Sequence, residues 1–185
     1  MELAFVGKAG INKSVYDAYI NVQTPENAEP GCMQVADSSL PCDRHYRNNV
    51  ILDNWDGSDI ETVAYVFYKD GNIVASTTFD GRNSTITNWF SKARIVSSSF
   101  TDLDSSTPTH TADGMVCWGN RRFSLFAGGV DCNTAAGWMI TSDILIAHCA
   151  WETRSDFPNF LYSTTSTAGN FLNAGEADTM AIWVK

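Results

Sequence analysis

At 185 residues, with 44% hydrophobic and 12% aromatic residues including six Trp, the chain is long enough to bury a core and too apolar for a disordered segment. A formal net charge of -9 leaves no basic stripe to neutralise phosphates, which argues against a nucleic-acid partner. No apolar run approaches the roughly eighteen residues that a membrane-crossing helix needs.

In chain order, Met1-Glu-Leu-Ala-Phe-Val6 lacks a basic n-region and a sustained apolar core, so it does not read as a signal peptide. For a secreted protein the expectation is therefore a mature form behind an added Met. Asn12-Lys-Ser14 is a glycosylation acceptor motif, and Asn83-Ser-Thr85 is a second. Ser14 to Ile20 is amphipathic: Ser14 suits a helix cap, while the β-branched and aromatic content suits a strand equally well. Asn27 to Asp43 is polar and Pro-rich and holds Cys32 and Cys42, which predicts a stapled surface loop.

Asp53-Asn-Trp-Asp-Gly-Ser-Asp59 places carboxylates at spacings that resemble the front of a calcium loop, with Asp53, Asp56 and Asp59 as ligands. An EF-hand would need a bidentate Glu at the twelfth position, which falls on Ala64. What stays open is a looser calcium site or an Asx-turn cluster, and the acidic pair Asp102 and Asp104 has the same two readings. Ile60–Tyr68 and Asn72–Phe79 are β-rich runs joined through Lys69-Asp70-Gly71. Asp-Gly tolerates positive φ at both positions, so a hairpin is predicted with Val63, Tyr65 and Phe67 on one face.

Asn83 to Lys92 reads as a short capped helix that lays Trp89 and Phe90 on the sheet. A short strand follows around Ile95 and Ser97–Phe100, then a Ser/Thr/Asp loop from Thr101 to Asp113. Arg121 to Glu152 is the richest stretch: an alternating run Arg122–Phe126, the Gly128-Gly129 turn, and a second apolar run flanked by Cys132 and Cys149. Phe160–Ser163 gives a further strand. Along Asp178–Lys185, Met180, Ile182 and Val184 face one way and Ala181 and Trp183 the other, as in a strand that docks inside a sheet or closes its edge.

Short strands, frequent turn residues and little helical periodicity predict a mainly β or irregular α+β fold. We expect one compact, disulfide-stapled domain over 1–185, with an N-terminal segment (1–44) and a core (45–185). The five cysteines fit no zinc spacing; two local bridges are expected, Cys32–Cys42 and Cys132–Cys149, in an oxidising compartment. Cys117 is left over, either buried and free or bonded between chains. The second bridge closes a short loop worth roughly 3 kcal/mol, and Trp151 is expected to pack on it.

No nucleophile, phosphate-loop or metalloprotease motif occurs, so nothing favours an enzyme. Of the three histidines, His148 reads as a core residue, His110 as a solvated one, and His45 as a weak binding candidate between charges of both signs. Trp55 and Trp118 sit beside polar residues and make sugar-stacking platforms, with Asp56, Asn120 and Arg121 as hydrogen-bonding partners.

Ile51-Leu-Asp-Asn-Trp55, Tyr68-Lys-Asp-Gly71, Asn88-Trp-Phe-Ser91 and Arg121-Arg-Phe123 together carry a resemblance. So do Gly128-Gly129 with Cys132, Gly137-Trp138, Cys149-Ala-Trp-Glu152 and Ala177-Asp178 through Lys185. Over roughly 45–185 the chain resembles secreted invertebrate extracellular-matrix domains of cnidarians and molluscs, distantly similar to fibrinogen-like domains. The resemblance implies a secreted, non-enzymatic recognition module, lectin-like or matrix-binding, of a kind whose relatives bind glycans or acetylated groups and sometimes calcium. The usual calcium loop and paired-Trp segment are not recognisable here, which weakens the case for calcium and for acetyl groups. The alternatives are an acidic structural component of a matrix, skeleton or egg coat that oligomerises through Cys117, and a small-molecule-binding protein or enzyme of unrecognised type.

Overall fold

The computed structural model describes residues 1–21, 30–35, 41–117, 119, 121–129, 131–143, 148–153 and 156–185. Its elements in order are β1 (Glu2–Lys8), α1 (Val15–Ile20), α2 (Pro30–Met33), β2 (Tyr46–Arg47), α3 (Asn49–Leu52), β3 (Thr62–Lys69), β4 (Asn72–Asp80) and β5 (Ile95–Ser98). They continue with β6 (Gly114–Val116), β7 (Arg121–Gly128), β8 (Ala136–Ser142), β9 (Asn159–Tyr162), β10 (Gly169–Asn170), β11 (Gly175–Ala177) and β12 (Thr179–Val184). One antiparallel sheet runs β2-β1-β12-β3-β4-β5; the other runs β11-β9-β8-β7-β6, with β10 paired to β8. The fold is mainly β, as the turn-rich, alternating sequence predicts.

The Asp70-Gly71 hairpin forms as expected, with φ of 48° at Asp70 and 80° at Gly71, values a two-residue turn between twisted strands requires. Val63, Tyr65 and Phe67 of β3 point to one side and are fully buried with Phe79, Met180 and Ile182. Phe123, Leu125, Met139 and Phe160 of the second sheet enter the same cluster, so the sheets meet face to face. The Tyr65 hydroxyl bridges them, 3.3 Å from the Phe123 carbonyl and 3.1 Å from Thr141 Oγ1. β12 does lie inside its sheet, pairing with β1 on one side and β3 on the other. Ser14–Ile20 resolves as helix: Ser14 Oγ accepts from the Asp17 amide, while Asp143, at the end of β8, accepts from the amides of Val15 and Tyr16.

Each sheet also buries part of its outer face, and each disulfide clips a covering segment in place. Cys32–Cys42 holds α2 against Val6 and Tyr46. Cys132–Cys149 belongs to a second cluster with Phe126, Ile140, Leu161, Trp151 and Phe171. Both bridges were expected from the cysteine spacing. Trp151 packs on the second, its indole N–H donating to the Cys132 carbonyl at 3.0 Å. Within the expected 27–43 loop, Pro30–Met33 form α2, and residues 27–29 and 36–40 lie outside the described residues.

Asn83 to Lys92 is not a helix. The Asn88 side chain accepts from the Thr85 amide at 2.7 Å, and Thr85 Oγ1 accepts from the Asn88 amide at 3.2 Å. The two form a reciprocal cap over the single turn 85–88, after which the chain carries Trp89 and Phe90 into the core and no helix continues. The expectation for Trp89 and Phe90 holds, since both are buried against the first sheet.

His45 is buried and is held by backbone at both nitrogens: Nδ1 accepts from the Lys8 amide at 3.0 Å and Nε2 donates to the Lys13 carbonyl at 2.9 Å. Only the neutral ring fits, because a proton on Nδ1 would confront the Lys8 N–H. Burial accordingly lowers its pKa below the ordinary value. The unfolded chain then binds a proton that the folded chain refuses as pH drops below about 6.5. Stability contributed at neutral pH is therefore lost progressively on acidification. We expect urea midpoints to fall between pH 7 and pH 5, and a His45→Gln variant to show a flatter profile; equal slopes would contradict this assignment.

Candidate functional site

A cavity of about 410 Å³ opens beside the second disulfide. Apart from His110, Thr111 and Ala112, every residue lining it comes from the Arg121–Glu152 stretch. Phe126, Ala135 and the Cys132–Cys149 bridge supply apolar surface, while His110, Arg121, Asp131 and His148 supply polar groups. An apolar concavity with a few convergent polar groups is the usual form of a small-ligand site.

Three local devices hold these residues. First, β7 is interrupted by register shifts between Arg122 and Gly128, which accompany the delivery of Phe123 and Leu125 to the main core and Phe126 to the outer cluster. Gly129 then turns the chain at φ 92°, where a Cβ would collide with the Thr134 carbonyl.

Second, the 101–113 loop is tied down from inside. Lys92 is buried; its Nζ donates to the carbonyls of Pro108 at 2.8 Å and Phe126 at 2.7 Å and pairs with Asp113 at 3.0 Å. Asp113 also accepts from the Phe126 amide at 2.6 Å and from the His110 amide. This sets the His110 ring against Phe126, with centroids 5.2 Å apart.

Third, a buried ion pair underlies the wall. Arg121 Nε lies 2.6 Å from Glu152 Oε1, and Glu152 is wholly buried. Glu152 Oε2 accepts from the amides of His148 at 3.1 Å and Cys149 at 2.7 Å. The Arg121 guanidinium also rides over the Trp151 ring at 4.8 Å. Asp131 is exposed, and the amides of Asn133 and Thr134 that donate to it hold its carboxyl below the usual carboxylate range.

The residues expected from sequence do not form one site. Trp55 is buried, its ring stacked on Trp89 with centroids 6.1 Å apart and its N–H given to Ser84 Oγ. It therefore offers no open platform, because Trp55 opens a three-ten turn (Trp55–Gly57) that rolls the ring inward. An edge of Trp55 and Asp56 do line one polar cleft of about 390 Å³, with Asp59, Glu61, Arg82 and Asn83, but this cleft shares no lining residue with the first cavity. Arg121 reaches the first cavity, though its guanidinium is already engaged by Glu152. Trp118 and Asn120 lie outside the described residues.

Asp53, Asp56 and Asp59 are not drawn into a metal centre: Asp53 turns to Arg47 at 2.7 Å. Among the described residues no group of three or more His, Cys, Asp and Glu side chains is placed to hold a metal ion. Asp102 and Asp104 serve local structure, Asp102 accepting from the Trp138 indole at 2.7 Å and Asp104 from the Ser106 amide at 2.7 Å. Asn12 and Asn83 of the two acceptor motifs are both exposed, at turns with φ of 55° and 53°. Cys117 forms no disulfide and is half-buried; burial pushes its thiol up to about 11.

Sequence reasoning missed His110, Phe126, Asp131 and His148. His148, expected in the core, is exposed at the cavity, since it is its backbone amide that Glu152 pins. The available signal was the disulfide itself, whose closure brings Asp131 and His148, each next to a bridged cysteine, to the same cavity. Comparison with protein-family models, with curated proteins and with solved structures gives no match.

Proposed function

We propose that the protein is a secreted, non-enzymatic recognition module that binds a glycan or a matrix surface through the cavity lined by His110, Phe126, Asp131 and His148. The observation that carries this reading is the cavity's make-up: an apolar wall of Phe126, Ala135 and a disulfide, rimmed by imidazoles and a carboxylate. Sugars present the same alternation of apolar faces and hydroxyl edges. Two disulfides agree with an oxidising destination, as do two exposed acceptor asparagines, and no helix among the described residues is long and apolar enough to cross a membrane. The distant resemblance to fibrinogen-like domains points the same way. A structural component joined through Cys117 draws less support, because a half-buried thiol with a raised pKa is a poor crosslinking partner.

The test is a glycan array read with and without calcium. Binding by the native chain should fall about tenfold in His148→Ala, the weight of one polar contact of somewhat more than 1 kcal/mol. His148 is exposed, so that variant is expected to keep the fold and both bridges. Silence of the native chain across a broad array, or binding indifferent to His148→Ala, would remove this reading.

A further inference from the structure

A smaller cavity of about 240 Å³ shares one wall with the first, since His110 lines both. The loop around His110 and strand β7 border the two in succession. Thr111, Ala112 and Phe126 line the first cavity, and Thr109, Ser124 and Leu125 line the second. A hollow of this size falls below the roughly 300 Å³ at which small-ligand pockets begin, whereas the first cavity lies within that range. The second therefore suits an extension of the first better than a site of its own.

The polar groups here divide into those already engaged and those still open. Lys92 and Asp113 also border the smaller cavity, but they are committed to each other and to backbone. His110 is different. Its Nδ1 accepts from the Ala112 amide at 3.2 Å, which places the proton of the neutral ring on Nε2. Among the described residues no group accepts from that Nε2. The contact with Phe126 fixes the ring between the two cavities.

Deeper in, Ser124 is fully buried, and its hydroxyl has no partner stronger than the Cys117 thiol. A buried hydroxyl so poorly matched is costly and favours an occupant able to bond it. Phe90 and Leu125 add apolar surface to the same hollow, which repeats on a smaller scale the make-up of the first cavity. Because the buried pairs Lys92–Asp113 and Arg121–Glu152 each cancel their own charge, selection in the smaller cavity falls to hydroxyls and apolar faces.

We propose that the smaller cavity is a second sugar subsite, so that the protein takes a linear oligosaccharide of at least two units rather than a single sugar. The proposal rests on the reading of the first cavity as a glycan site. One unit lies against Phe126 and the disulfide, the next against Phe90 and Leu125, and the His110 Nε2–H donates at the linkage between them.

The experiment is calorimetric titration of the disulfide-intact chain with glucose, galactose, mannose and N-acetylglucosamine, each alongside its linear di- and trisaccharide. In the series that binds, affinity should rise at least about tenfold from one unit to two. Thr109 is exposed, so Thr109→Trp is expected to fold and to obstruct the smaller cavity. It should bring the disaccharide to within about twofold of the monosaccharide while leaving the monosaccharide unchanged. Equal affinity for one unit and two, or a length dependence that survives Thr109→Trp, would overturn the subsite and leave the first cavity's reading standing. No binding in any series would remove both. Should Thr109→Trp not fold, the length dependence of the native chain still decides.

Discussion

Replacing Trp89 by Ala is expected to destabilise the protein by about 3–5 kcal/mol, the range for emptying a large aromatic site in a packed core. Trp89 is fully buried. Its ring meets Trp55, Phe79, Phe90 and Phe123, at centroid distances of 6.1, 5.3, 5.4 and 6.4 Å. The indole N–H lies 2.9 Å from the Tyr19 hydroxyl and 3.1 Å from the Ile86 carbonyl. One side chain thus joins α1, the 83–90 turn and both sheets. Equilibrium unfolding in urea should show a lower midpoint with an unchanged slope. Trp89→Phe, which keeps an aromatic ring but gives up the N–H and part of the volume, should lose less than the Ala variant, about 1–3 kcal/mol. A Trp89→Ala midpoint within 1 kcal/mol of the native one would refute this placement.

Glu152→Ala should cost a similar amount, about 3–5 kcal/mol, by a different route. The substitution leaves the Arg121 guanidinium buried without its counter-charge and takes the acceptor away from the amides of His148 and Cys149. Glu152→Gln keeps an acceptor and the shape, so its loss should be smaller. Unlike Trp89→Ala, the Glu152 change acts on the wall of the cavity. Ligand binding should therefore weaken in Glu152→Gln even at temperatures where the chain stays folded, whereas Trp89→Phe should leave binding intact. Indistinguishable binding in the two conservative variants would separate Glu152 from the site.

What could be read from the sequence was whatever is encoded between near neighbours. The Asp70-Gly71 turn, the alternation along 179–184 and the pairing of cysteines across short loops are such signals, and all three appear in the structure. Polarity of adjacent residues proved a poor guide to where a ring points. Trp55, between Asn54 and Asp56, turns inward, and His148, beside an apolar run, stays outside. The helix expected after Asn83 stops at its cap: Thr85 and Asn88 bond each other's backbone, and the chain then turns Trp89 and Phe90 into the core. The cavity depends on His110 being carried to the Cys132 bridge by the buried contacts of Lys92 and Asp113. A lysine in the core gives no signature in hydropathy, so that step could not be seen in one dimension.

The position of β12 bears on how the chain is made. β1 is synthesised well before β12, yet its partner on the β12 side, and the β12-facing edge of β3, must wait for residues 179–184. At ordinary translation speeds the interval is on the order of ten to thirty seconds. During it the first sheet exists only as separate pieces with unpaired edges and apolar side chains such as Phe5 and Phe67 uncovered. Completion of the sheet is therefore an event after synthesis of β12. A release of the chain before residue 179 would yield a product with its central strand missing, suited to degradation rather than to partial activity.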